Sequence, residues 1–295
     1  SGLAKATALD AILFHTQVPA ILSTDWIKRI PSVVSLDATP LQYDALGEVY
    51  GHKPGAAWLE RTKWRLNRDC FRAARHLITW SEWAKQGLIA EYDVPSEKIT
   101  VIPPGVHVRE WFRVEPRKKT DGPVKILFVG GDFARKGGLL LLEAFRALRP
   151  LGVELHIVTR DALPSEPGLF LYHNMQPNSP ALKALYHRSD IFCLPTYGDC
   201  LPMVLSEAGA AGLPVVSTHV AAIPEIVSDG ETGALISVGD TDALTKALRM
   251  LICDPAMRLR QGERAAQAVS SKFDARQNTQ RLLSVLKRVA QKDTA

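Results

Sequence analysis

The chain has 295 residues, 46% of them apolar and 23% charged, with a formal net charge of +5. That length accommodates two domains with sizeable cores, and no apolar run reaches the length needed to span a bilayer. No leader-like segment is recognisable, no nucleic-acid module accompanies the modest positive charge, and Cys70, Cys193, Cys200 and Cys253 show neither metal-ligand spacing nor close pairing. A reduced, cytoplasmic setting without a nucleic-acid partner is expected.

Strands alternate with helical stretches along the whole chain, the pattern of parallel α/β sheets. A helix-like stretch at 3–10 precedes a strand at Ala11–His15. Ser32–Leu36 is the second strand, with Asp37-Ala-Thr-Pro as its loop. Gly55–Ala74 is helical in pattern. His76–Trp80 is the third strand, and Ser81 is placed to cap a helix running to Tyr92. Ile99–Pro103 is the fourth. Charge and proline cluster from Arg109 to Pro123, which reads as a linker at 113–123 between a first domain, 1–112, and a second, 124–273. The second contains strands at 124–129, 153–158, 169–172, 191–194, 214–217 and 234–236. Its helices are expected at 139–148, 180–187, 243–251 and 256–271, and a C-terminal helix at 274–295 is placed to pack back on the first domain. The first domain shows about four strands where a doubly wound domain usually has five or six. It reads as opening inside a Rossmann-like sheet.

The helix at 58–75 carries Arg61, Lys63, Arg65, Arg68, Arg72 and Arg75, with Asp69 the single acid between Arg61 and Arg75, and Trp58, Leu59, Trp64, Leu66 and Phe71 are interleaved with them. Such a helix suits an anionic membrane surface. It equally suits a surface helix whose apolar side faces the core.

Two segments carry chemistry. In Leu201–Gly212, Pro202 stands at a helix start and Gly212 at its stop, with Asp199 just before and Glu207 inside. The free amides at such a start, near Met203 and Val204, form an anion site. Long helical side chains lean toward the N-terminus, which brings Glu207 back toward the same place. Amides suit phosphates and carboxylates suit sugar hydroxyls, so the segment suggests a sugar-nucleotide pocket. In Gly130–Gly138, glycines including Gly130 and Gly131 permit close backbone approach to a ligand, and Arg135 and Lys136 supply two cations. The glycine spacing matches neither the dinucleotide fingerprint nor the Walker A loop. In the first domain, His15 and Asp37 stand at strand C-terminal ends, where open α/β sheets bind ligands. Tyr43, His52 and Lys53 follow in a polar stretch.

The segment Pro195–Ser217 resembles the signature of the family 4 retaining glycosyltransferases, whose two acids are separated by seven residues. Asp199 stands where the family usually has Glu. Lys136-Gly137 matches the family's Lys-Gly, whereas Gly131 occupies a position that is usually basic, for which Arg135 is a substitute. Asn174–Pro177 matches the loop that meets the base, and Asp37 stands where the family often has His. The resemblance extends over nearly the whole chain and is strongest from Lys125 to Gly239.

It implies a GT-B fold, two Rossmann-like domains, and transfer of a sugar from a nucleoside-diphosphate sugar to a hydroxyl with retention. The acceptor would be a glycan, a lipid-linked sugar or a small molecule. Glu207 would hold the ribose and Asp199 the transferred sugar. Arg135, Lys136 and the amides near Met203 and Val204 would stabilise the departing diphosphate. No cofactor or metal is implied, because no Asp-any-Asp signature stands beside these elements. The rival readings are a nucleotide-sugar binding module without turnover and another GT-B enzyme, such as a sugar-nucleotide epimerase.

Overall fold

The computed structural model describes residues 9–51, 53–112 and 122–291. His52, the helical reading of 3–8 and most of the expected linker therefore lie outside the described residues. The chain forms two compact units, Ser1–Pro104 with Arg276–Ala295, and Gly105–Ala275.

The first unit runs β1 (Ile12–Phe14), α1 (Gln17–Ile21), α2 (Thr24–Arg29), β2 (Ser32–Leu36), α3 (Pro40–Ala45), α4 (Ala57–Ala73), β3 (His76–Thr79), α5 (Glu82–Tyr92) and β4 (Ile99–Val101). The strands pair in parallel in the order β1-β2-β3-β4. Every residue of β2 and β3 is buried, as expected of parallel strands covered on both faces. Val34, Leu36 and Leu77 pack with Cys70, Phe71, Leu88 and Tyr92 of α4 and α5. Ser81 caps α5, its hydroxyl accepting from Ala84 N at 3.1 Å.

Three helices in this unit have no counterpart in the sequence reading. α1 and α2 span five and six residues, too short to show a 3.6-residue period. α3 replaces the expected continuation of the loop. Thr39 Oγ1 accepts from Gln42 N while Gln42 Oε1 accepts from Thr39 N, a capping box with Pro40 in the first turn. α4 turns Asn67, Cys70 and Phe71 inward and leaves Trp58 69% and Leu66 51% exposed.

The second unit runs α6 (Val108–Trp111), β5 (Val124–Val129), α7 (Gly138–Leu148), β6 (Val153–Val158), β7 (Leu169–Tyr172), α8 (Pro180–Arg188), β8 (Ile191–Leu194), α9 (Met203–Ala210), β9 (Val215–Thr218), β10 (Gly233–Ile236), α10 (Thr241–Cys253) and α11 (Pro255–Lys272). Its sheet has the order β10-β9-β8-β5-β6-β7, all parallel. The order reverses between β5 and β8, so the loops after these two strands flank a topological switch point. The glycine-rich loop follows β5, and the segment holding Asp199 follows β8.

The C-terminal helix α12 (Ala275–Ala290) belongs to the first unit from Arg276 onward. Its Val285 and Val289 pack against Val33, Ile78 and Ile102 on the other face of the four-stranded sheet. Residues 105–112, expected with the first domain, pack instead with the second unit. Trp111 is 1% exposed and meets Tyr186 edge-on at 5.0 Å. His187 Nε2 donates to Trp111 O at 2.9 Å, and Lys183 pairs with Glu110 at 2.6 Å. Arg109–Trp111, at the start of the cluster of charge and proline, is thus held by an aromatic anchor. All four cysteines are free, and no helix of the described residues is long and apolar enough to cross a membrane.

Candidate functional site

The loop after β5 is fastened on both sides. Gly130 N donates to Val158 O at 2.9 Å, and Phe133 N donates to Asp161 Oδ2 at 2.7 Å, which ties it to the end of β6. Tyr197 N donates to Arg135 O at 3.0 Å, which ties it to the loop after β8. Gly137 has φ of +78°, and a β-carbon there would overlap the Pro195 carbonyl oxygen. Only glycine allows this turn to sit so close to the end of β8.

Two cations of this loop meet Asp199, 63 residues away from Lys136 in the chain. Lys136 Nζ lies 2.5 and 2.7 Å from the two carboxylate oxygens. Arg135 Nη1 lies 3.8 Å from Oδ1 and donates to Gly198 O at 2.8 Å, while its Nε donates to Asp132 Oδ2 at 3.0 Å. Asp199 is 8% exposed, so the pair replaces much of its hydration. The structure thus brings Arg135, Lys136 and Asp199 together.

α9 begins at Met203, directly after Pro202, which takes the N-cap rather than the first helical position and offers no side-chain cap. The first amides, Met203 and Val204, have no partner within the helix. At the other end, Gly212 has φ of +71°, and Leu213 N donates to Ala208 O at 3.0 Å, the expected glycine stop.

Glu207 is placed differently from expectation. Its Oε2 accepts from the hydroxyl of the fully buried Tyr186 at 3.0 Å, and no hydrogen bond or ion pair among the described residues joins it to Lys136 or Asp199. Its carboxylate is held on the α8 side of the helix. Burial pushes the Glu207 carboxyl above its ordinary value, against the Tyr186 hydrogen bond and the nearby Lys183 charge. The native state therefore holds a proton at Glu207 more tightly than the unfolded chain does. Stability falls as pH rises from the ordinary Glu value, about 4.3, through the raised native one. Glu207→Gln keeps an oxygen for Tyr186 and removes the charge. Its Tm relative to wild type should rise across that pH interval. A constant difference in thermal denaturation from pH 4 to 7 would contradict this.

Gly130 is packed: a β-carbon there would lie 2.9 Å from the Phe128 ring and 3.1 Å from Lys136 Cγ. Gly131 lies beside Arg160, which sequence reasoning missed. Asn174 follows β7 with φ of +59°, and the adjacent His173 Nδ1 donates to Thr159 O at 3.0 Å. In the first unit, the His15 and Trp80 rings lie 5.5 Å apart, and Trp80 Nε1 donates to Ser35 Oγ at 3.0 Å. Burial raises the Asp37 carboxyl, against its backbone hydrogen bonds and the His15 charge. His15, Asp37 and Trp80 thus gather at the C-terminal ends of β1–β3, and Trp80 had no signal in the sequence beyond its place at a strand end. Tyr43 stacks on Tyr50 at 4.8 Å, and Lys53 is exposed.

Comparison with known proteins bears on the family and the fold. The profile of glycosyl transferases group 1 matches residues 123–254, and that of Glycosyltransferase Family 4 matches 2–110. The glycogen synthase of Mycobacterium tuberculosis is 29% identical over 260 residues, covering 83% of this chain and 60% of the relative. The D-inositol 3-phosphate glycosyltransferase of Corynebacterium glutamicum is 29% identical over 209 residues, covering 62% and 50%. The chain spans about half to three fifths of the length of these curated relatives. Among solved structures, the sucrose-phosphate synthase from Thermosynechococcus elongatus superposes with a TM-score of 0.78 at 18% identity, covering 98% of this chain and 75% of the other. Anabaena HepE in complex with UDP gives 0.79 at 18%, covering 97% and 81%. The fold is therefore the GT-B α/β fold with two parallel sheets. With profile matches on both units and the Asp199–Glu207 segment inside one of them, the chain belongs to the group 1, family 4 glycosyltransferases.

Proposed function

We propose that this protein transfers a sugar from a nucleoside-diphosphate sugar to an acceptor hydroxyl, with retention at the anomeric carbon. The observation that carries the reading is the junction of Lys136 and Arg135 with Asp199 at the switch point, beside the open amides of α9. In this reading the diphosphate lies on the glycine loop and the α9 amides, and Asp199 faces the transferred sugar. Glu207, oriented by Tyr186, takes the ribose hydroxyls. Asn174 lies on the base side, and His15 and Asp37 line the acceptor side. The charge developing on the leaving diphosphate is met by Arg135, Lys136 and backbone amides, with no metal ion invoked. The structural neighbour HepE, solved with UDP and with UDP-glucose, supports a nucleotide-sugar donor. A cytoplasmic location fits such a donor.

A panel of UDP-, GDP- and ADP-sugars, scored by thermal shift and then by transfer with and without EDTA, tests this. A ligand at a hundred times its Kd stabilises the native state by about 2.7 kcal/mol, a readily measured rise in Tm. A flat panel would sink the proposal. Donor consumed without acceptor would point to an epimerase. Binding without transfer would favour a nucleotide-sugar binding module.

We also propose that the acceptor side meets an anionic membrane surface through α4, where exposed Trp58, Leu59 and Leu66 stand among Arg61, Lys63, Arg65 and Arg72. Sedimentation with phosphatidylglycerol vesicles should carry the wild-type protein down, and Arg61→Glu with Arg65→Glu should release it. Equal sedimentation of both would argue against the contact.

A further inference from the structure

Position 131 is glycine without a backbone reason. Its φ is not in the left-handed region, unlike that of Gly137. What stands in the way of a side chain there is Arg160: a β-carbon on Gly131 would lie 3.3 Å from Arg160 Nε and 3.6 Å from both Cζ and Nη2. The guanidinium rests on the bare α-carbon of the loop.

Arg160 is held there by its neighbours in the chain. Val158 O accepts from Gly130 N, and Asp161 Oδ2 accepts from Phe133 N. These bonds fasten the residues on either side of Arg160 to the residues on either side of Gly131 and Asp132. The cation from the end of β6 is thereby delivered to the loop after β5.

The charge at this place is uncommitted. Lys136 is closed on both oxygens of Asp199, and Arg135 is divided between Asp132 and Gly198 O. Both loop cations therefore already face carboxylates. Arg160 makes no hydrogen bond or ion pair among the described residues, and it is exposed. Its planar fork matches phosphate oxygens bidentately.

We propose that Arg160 is a further donor-binding residue. It adds an unpaired positive charge to those of Arg135 and Lys136, which the diphosphate shares with carboxylates, and Gly131 is glycine to make room for it. The proposal rests on the reading that a nucleoside diphosphate occupies this loop.

The test measures UDP, GDP, uridine and guanosine by isothermal titration against the full chain. Arg160→Ala, at an exposed position, should fold as wild type by circular dichroism. It should bind the preferred diphosphate about tenfold to a hundredfold more weakly, the range for hydrogen bonds to charged groups, with nucleoside affinity unchanged. Gly131→Arg combined with Arg160→Ala should recover most of the loss, because the backbone at 131 admits a side chain and the space is vacated. Wild type that binds neither diphosphate overturns the donor reading and this proposal with it. Wild type that binds, with Arg160→Ala binding equally well, overturns only the assignment of Arg160. Equal losses for diphosphate and nucleoside, or no recovery in the double variant, also overturn it.

Discussion

Lys136→Met is expected to destabilise the protein by about 3–5 kcal/mol, the range for removing one partner of a buried ion pair. Asp199 is 8% exposed and both of its oxygens face Lys136 Nζ. The remaining cation, Arg135, stands 3.8 Å away with its guanidinium divided among other acceptors. It offsets only part of the stranded charge. Adding Asp199→Asn should return much of the stability, since the double variant has no unpaired charge left to bury. It should not return donor affinity, because both groups assigned to the donor are gone. Urea denaturation of the four members of this cycle measures the coupling. A coupling energy near zero would show that the pair is solvated and plays no part in shaping the site.

Gly137→Ala is expected to cost about 2–5 kcal/mol. A left-handed backbone with a β-carbon accounts for about 1–2 kcal/mol, and overpacking against the Pro195 carbonyl for about 1–3 kcal/mol more. Gly152→Ala is the matched control: its φ is +69°, yet a β-carbon there meets nothing within 4 Å. The difference between the two variants isolates the contact with β8 from the backbone strain. Relief of the clash would move the loop away from Pro195 and carry Lys136 off Asp199, so donor binding should fall with stability in Gly137→Ala and hold in Gly152→Ala. Equal destabilisation by both substitutions would show that the close approach to Pro195 contributes little.

Much of the fold was legible because its signals are local. Short runs rich in valine, leucine and isoleucine, such as Ser32–Leu36 and Val124–Val129, mark strands of parallel sheets. Ser81 and Gly212 mark helix ends through bonds made over a few residues. The spacing of Asp199 and Glu207, and the glycine loop with its two cations, were legible for the same reason. α1 and α2 were not, since one or two turns leave no period to read, and α3 needed the reciprocal bonds of Thr39 and Gln42 to be recognised.

What only the tertiary structure decided are pairings between residues far apart in the chain. Lys136 and Asp199 meet because β5 and β8 are neighbours at the point where the strand order reverses, and strand order is not written in any short segment. Trp111 lies in a run of charge and proline and was expected with the first domain, but burying its ring against Tyr186 places it with the second unit. Glu207 was correctly placed on its helix, whereas its direction was set by the Tyr186 hydroxyl of α8. Gly131 read as a missing cation until the end of β6 was seen to lay Arg160 across it. In each case the sequence determines which groups are available, and the order of the strands determines which of them meet.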